Sequence, residues 1–165
     1  MPSVLIVDDE PLTTLLLRRM LESRGALCVT AQSIGEALDA IRGQSFDLVV
    51  LDWFLPPDRG DAIFDAMVAI RPDIWPRVCI LSGMEPDDAG RAFVARTGVA
   101  WVTKVFSEKS ASQLLRQHES VKPGSHAAAL DADIAQLGRV LTDAAKETKP
   151  HTAPGFFGSL WRKKP

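Results

Sequence analysis

An α/β architecture, a doubly wound five-stranded parallel sheet with helices on both faces, is what this sequence predicts, and three observations carry it. Five short apolar runs rich in Val, Ile and Leu recur along the first hundred residues. Each is followed by a stretch with helical periodicity, and strands that alternate with helices need crossovers and hence run parallel. One run, Phe46-Asp47-Leu48-Val49-Val50-Leu51-Asp52, is apolar on both faces and stops on a carboxylate. A strand buried on both faces belongs mid-sheet, and its carboxyl end lies where open α/β sheets hold ligands.

The elements follow in order. Ser3 to Val7 is the first strand, running into Asp8-Asp9-Glu10. Pro11 stands at the first position of a helix whose stripe is Leu12, Leu15, Leu16, Arg19 and Met20, and Gly25 stops it. Leu27 to Ala31 is the second strand, and Ser33 caps a helix through Ala37, Leu38 and Ile41 to Gly43. The central strand at 46–52 gives way to a helix from Gly60 to Ile70, with Ile63, Phe64, Met67 and Ile70 on one face. Pro72 and Pro76 end it and fill a loop. Arg77 to Leu81 is the fourth strand, ending on Ser82-Gly83, and Pro86 opens a helix that reaches Gly98. Val99 to Val102 is the fifth strand, running into Thr103-Lys104, and Ser107 caps a fifth helix to about Gln117.

Beyond it the chain changes character. The expected division is a globular domain over 1–119, a linker over 120–126, an alanine-rich helix over 127–147 and an aromatic and basic tail over 148–165. The helix carries Leu130, Ile134, Leu137 and Leu141 at four- and three-residue steps, a stripe suited to packing back on the domain, pairing with a second copy or docking on a protein target. The tail sets Phe156, Phe157 and Trp161 beside Arg162, Lys163 and Lys164, which favours a protein contact. About 45 residues leave no room for a winged-helix output domain.

The bulk composition excludes several classes. Hydrophobic residues at 46% and charged ones at 24% are those of a folded globular chain, and a net charge of -2 gives no electrostatic reason to bind nucleic acid. No run approaches the roughly 18 to 20 apolar residues of a membrane span, and the N-terminus lacks a basic leader, so a cytoplasmic protein is expected. Cys28 and Cys79 lie apart in separate apolar runs and read as core residues, and His118, His126 and His151 have no ligand spacing.

The strand ends carry the chemistry. The first delivers Asp8 and Asp9, the third Asp52, the fourth Ser82 and the fifth Lys104. In a parallel sheet these ends share one edge, so three carboxylates, a hydroxyl and an ammonium converge. Crowded carboxylates repel unless a cation compensates, and a hard divalent ion, most simply Mg²⁺, holds all three ionised with oxygen ligands alone. Beside a lysine and a hydroxyl this set suits phosphoryl transfer, with Asp52 as nucleophile, Ser82 donating to a phosphoryl oxygen and Lys104 neutralising another.

These residues resemble the receiver domain of two-component response regulators over about residues 3 to 118: Val4-Leu5-Ile6-Val7-Asp8-Asp9, Leu51-Asp52 with Leu55-Pro56 and Gly60, Leu81-Ser82-Gly83, and Thr103-Lys104 with Phe106. The resemblance, to single-domain chemotaxis-type regulators, implies a flavodoxin-like strand order 2-1-3-4-5 and a phosphoacceptor at Asp52. It implies Mg²⁺ ligation by Asp9, by Asp8 through water, by Asp52 and by the Phe54 backbone carbonyl. Ser82 and Lys104 would grip the phosphoryl group, and Trp101 occupies the aromatic switch position, its ring expected to swing inward as Ser82 moves. The implied partners are a histidine kinase or phosphotransfer protein and a downstream protein target or homodimer, and the implied function is a phosphorylation-dependent switch rather than an enzyme acting on other molecules.

Two positions depart from the family pattern. Val105 stands where the family joins Pro to its lysine by a cis peptide, which before Val costs about 2.5 to 4 kcal/mol. The reach of Lys104 is therefore the point on which phosphorylation turns. Phe54 and Met84 are bulky and apolar where side chains flank the path of a hydrolytic water, which predicts a shielded, long-lived acyl phosphate. Two rivals stand beside the switch. A phosphate-independent scaffold fits Val105. An aspartyl-phosphate phosphatase of the haloacid-dehalogenase type wants a second acid two residues after the nucleophile, where Phe54 stands.

Overall fold

The computed structural model describes residues 1–23 and 25–104. Elements run β1 (Ser3–Val7), α1 (Pro11–Glu22), β2 (Leu27–Ala31), α2 (Ile34–Gly43), β3 (Leu48–Asp52), β4 (Phe54–Leu55), β5 (Asp58–Arg59), α3 (Gly60–Ile70), a 3-10 helix (Pro72–Arg77), β6 (Val78–Ser82), α4 (Asp88–Thr97) and β7 (Ala100–Thr103). The five long strands pair in parallel in the order β2-β1-β3-β6-β7, which is 2-1-3-4-5 when only these five are counted. The predicted architecture is therefore the observed one. The helix at 107–117, the linker, the helix at 127–147 and the tail lie outside the described residues, as does Val105.

Period-two alternation divides the core into two layers. Val4, Ile6, Leu48, Val50, Cys79, Leu81, Ala100 and Val102 face α1, where Leu16, Leu17, Met20 and Leu21 cover them. Leu5, Val7, Val49, Leu51 and Ile80 face the other way, against Ile41 of α2, Ile63, Phe64 and Met67 of α3, and Phe93 of α4. All five residues of β3 are buried, as expected for the central strand. The edge strand β2 is half-exposed instead, so Cys28 is a partly covered neighbour of the core while Cys79 is fully inside.

Local chemistry accounts for the ends. Pro11 opens α1, and Ser33 caps α2 by accepting from the Glu36 amide at 3.3 Å. Three details depart from the expected elements. On α1 the buried side is Thr13, Thr14, Leu16, Leu17, Met20 and Leu21, leaving Leu15 exposed, because the Thr14 hydroxyl donates to the Glu10 and Pro11 carbonyls and so buries without an unmet hydrogen bond. The fourth helix starts at Asp88 rather than Pro86, since the Asp87 carboxylate caps it by accepting from the Gly90 amide at 2.7 Å. The segment after α3 is a 3-10 turn rather than loop, and β6 begins at Val78.

Phe46 and Asp47 also fall short of β3. Asp47 holds Ser3 twice, its carboxylate accepting from the Ser3 amide at 2.8 Å and its own amide donating to the Ser3 carbonyl at 2.8 Å, and β3 begins one residue later at Leu48. After β3 the chain makes an unforeseen two-residue hairpin, Phe54 opposite Arg59 and Leu55 opposite Asp58. It returns to Gly60, whose amide donates to the Trp53 carbonyl at 2.9 Å. A Cβ on Gly60 would lie 3.0 Å from the Asp52 carbonyl oxygen and from Trp53 Cε3, so only glycine lets α3 start this close to the end of β3.

Candidate functional site

Parallel registry brings four strand ends to one edge. Asp8 follows β1 and is almost wholly buried, its backbone amide donating to the Ala31 carbonyl at 3.0 Å. Asp52 closes β3 with 8% of its surface exposed, and one of its carboxylate oxygens accepts from the Phe54 amide at 3.4 Å. Ser82 closes β6 without exposure, and Lys104 follows β7, its backbone amide donating to the Ser82 carbonyl at 2.6 Å.

Lys104 then reaches across the sheet end. Its Nζ lies 2.7 Å from Asp8 Oδ2 and 3.1 Å from Asp52 Oδ2, with only 10% of the side chain exposed. Asp9 is exposed at the mouth, and Asp8, Asp9 and Asp52 each present a carboxylate oxygen within 4.8 Å of the others. A donor set of three carboxylates without sulfur or imidazole fits a hard divalent cation such as Mg²⁺.

The electrostatics have a clear sense. Burial pushes the Asp8 carboxyl above the usual range despite the Lys104 hydrogen bond that pulls it down. Burial does the same to Asp52, helped by the charge of Asp8 and opposed by that of Lys104. Burial draws the Lys104 ammonium down, but its bond to Asp8 and the charge of Asp52 outweigh this and leave it raised. One ammonium is thus shared by two buried carboxylates that remain reluctant to ionise together. A second positive charge at this edge would relieve them, which is the property a cation site needs.

Of the residues singled out from sequence, Asp8 and Asp52 both meet Lys104 within hydrogen-bonding range, and Asp9 brings a carboxylate oxygen within 4.8 Å of theirs. Ser82 reaches the same edge by pairing with Thr103, and its hydroxyl accepts from the Met84 amide at 3.3 Å. Phe54 touches the site through its amide, and its ring, 42% exposed, stands at the rim with Met84, 58% exposed. Trp101 lies two residues before Thr103 on the same side of β7 and donates from Nε1 to the Met84 carbonyl at 3.2 Å. Trp53, directly after Asp52, is a residue that the sequence patterns do not single out. It is fully buried, with its ring 4.9 Å from that of Trp101 and 5.4 Å from that of Phe93. A large aromatic directly after the carboxylate of a buried strand was its only signal.

Comparison with known proteins agrees with this arrangement. Residues 4–116 match the model of the response regulator receiver domain. A stretch of 68 residues is 37% identical to the sensor protein GacS of Pseudomonas syringae, covering 41% of this chain and 8% of that protein. Another of 66 residues is 36% identical to the two-component response regulator PprB of Pseudomonas aeruginosa, covering 39% of this chain and 24% of PprB. The chain thus spans less than a third of either relative's length. The fold resembles that of the chemotaxis protein CheY4 of Vibrio cholerae, with a TM-score of 0.59 at 21% identity, over 71% of this chain and 98% of that one. With the family model matched over more than half of its length, and with the sheet order and acidic edge that this fold displays, the chain belongs to the response regulator receiver domain family.

Proposed function

We propose that this protein is a phosphorylation-dependent signalling switch that accepts a phosphoryl group on Asp52 from a histidine kinase or phosphotransfer protein. The observation that carries the proposal is the double hold of Lys104 on Asp8 and Asp52, which sets an ammonium beside the carboxylate that would take the phosphate. A carboxylate oxygen of Asp52 attacks phosphorus, the bond from phosphorus to the donor's imidazole nitrogen breaks, and the imidazole leaves with the electron pair and takes up a proton. Lys104 exchanges its bond to Asp52 for one to a phosphoryl oxygen, and Ser82 turns its hydroxyl from the Met84 amide to donate to another. Mg²⁺, when bound, supplies charge neutralisation at the phosphoryl oxygens, and Asp8, Asp9, Asp52 and the Phe54 carbonyl are the groups that would hold it.

Output is by protein contacts, with the receiver unit at 1–119 and the helix at 127–147 engaging a target or a second copy. Acetyl phosphate with Mg²⁺, followed by mass measurement, tests the switch. A stable gain of one phosphoryl group in wild type but not in Asp52→Ala is the expected result. No gain favours the scaffold, and continuous phosphate release from small phosphoesters favours the phosphatase. The exposed apolar rim of Phe54 and Met84 further implies slow hydrolysis of the product. Phe54→Asn and Met84→Glu should shorten its lifetime about tenfold, a barrier change of roughly 1.4 kcal/mol. Unchanged lifetimes in both would remove shielding as the reason.

A further inference from the structure

We propose that the aromatic and basic tail of this chain, Phe156 to Lys164, docks on the rim of the acidic edge and competes there with cations. Phe54 and Met84 each stand two residues beyond the end of one of the paired strands β3 and β6, and they leave 42% and 58% of their surfaces exposed. Two large apolar side chains this open beside one another invite a covering surface. Charge surrounds them. Asp9 and Glu85 are exposed, Glu85 accepting only from the Thr103 hydroxyl, and neither joins an ion pair among the described residues. The ammonium of Lys104 is already divided between Asp8 and Asp52. The rim thus asks for a partner that is apolar and cationic together.

The same chain carries such a partner. Residues 1–104 hold fifteen acidic and ten basic side chains, whereas residues 105–165 hold six and nine. Past Glu147 no acid follows, and Arg162, Lys163 and Lys164 stand beside Phe156, Phe157 and Trp161. Opposite net charge draws the two parts together, and apolar contact fixes where they meet. Reach is sufficient. Lys104 lies at the carboxyl edge, and the 51 residues from there to Phe156 span about 40 Å even without regular structure. Such a tether holds the tail at an effective concentration on the order of a millimolar, at which a weak contact is occupied. The docked cations relieve the crowded carboxylates as a divalent ion would, so tail and ion exclude one another. The dock stands apart from the reading of Asp52 as phosphoacceptor, and only its competition with Mg²⁺ draws on the reading of this edge as a cation site.

The full chain labelled with ¹³C at the methionine methyls gives one resonance for each of Met1, Met20, Met67 and Met84. Met20 and Met67 are buried and report the fold, while Met84 reports the rim. Two full-length variants are compared with wild type, Trp161→Ala and the combination of Arg162→Gln, Lys163→Gln and Lys164→Gln. Both should move the Met84 methyl and leave Met20 and Met67 in place, since one removes the ring and the other the charge that hold the tail. The dissociation constant for Mg²⁺, titrated on the same spectra, should fall about threefold in both, the effect of freeing a site that is open in about a third of the molecules. Movement of Met84 in only one variant, or in neither, overturns the dock. A wild-type Met84 position that changes with protein concentration assigns the tail to a second copy and overturns docking within the chain. Met84 movement with unchanged Mg²⁺ affinity overturns the competition. Failure of every form to bind Mg²⁺ would instead refute the cation site, with the dock still decided by Met84.

Discussion

The two edges of the sheet use charged residues in opposite ways. At the amino edge three charged side chains close backbone groups. Asp47 accepts the Ser3 amide, Arg71 donates to the carbonyls of Ile41 at 3.2 Å and Gln44 at 2.6 Å, and Arg77 donates to that of Phe46 at 2.9 Å. At the carboxyl edge the charges face one another, with two buried carboxylates on one lysine and a third at the mouth. Satisfied charges at the first edge hold elements together. At the second, two buried carboxylates that share one ammonium leave free energy that a further cation can release.

The contrast can be broken most strongly at Lys104. Lys104→Met strands Asp8 and Asp52 without their shared cation, and denaturant unfolding at pH 7 should show a loss of about 3 kcal/mol. That loss should shrink as pH falls and the carboxylates protonate. A loss that does not depend on pH would mean that packing rather than charge is at stake. Arg71→Ala leaves the Ile41 and Gln44 carbonyls without their donor and should cost about 2 kcal/mol. Its Mg²⁺ affinity and Asp52 phosphorylation should match wild type, and a change in either would undo the separation of the two edges.

Smaller effects sharpen the comparison. Mg²⁺ should raise the melting temperature of wild type, each tenfold rise in concentration above its dissociation constant adding about 1.4 kcal/mol, whereas Asp9→Ala and Asp52→Ala should respond weakly. Equal responses in all three would place the ion elsewhere. The smallest effect concerns Asp52 alone. Its folded pKa is raised, so the native state holds that proton longer than the unfolded chain, and stability falls as pH rises from the ordinary carboxylate value through the folded one. Asp52→Asn should therefore be more stable than wild type at pH 7 and lose that advantage below the ordinary carboxylate range, as thermal melts across pH would show.

Period-two and helical patterns, caps and breakers are local and each apolar run ends on its polar residue, so the strands, their parallel alternation with helices and the residues at their ends could be read from the order of amino acids. Asp8, Asp9, Asp52, Ser82 and Lys104 were legible for that reason. Leu15, the start of α4 and the hairpin after Trp53 were misread or unread, because side-chain bonds from Thr14 and Asp87 and the close approach at Gly60 decided them. Tertiary structure alone decided that Lys104 reaches both aspartates. Those distances join residues 52 and 96 positions apart, and no periodicity in a chain specifies where side chains from separate strands meet.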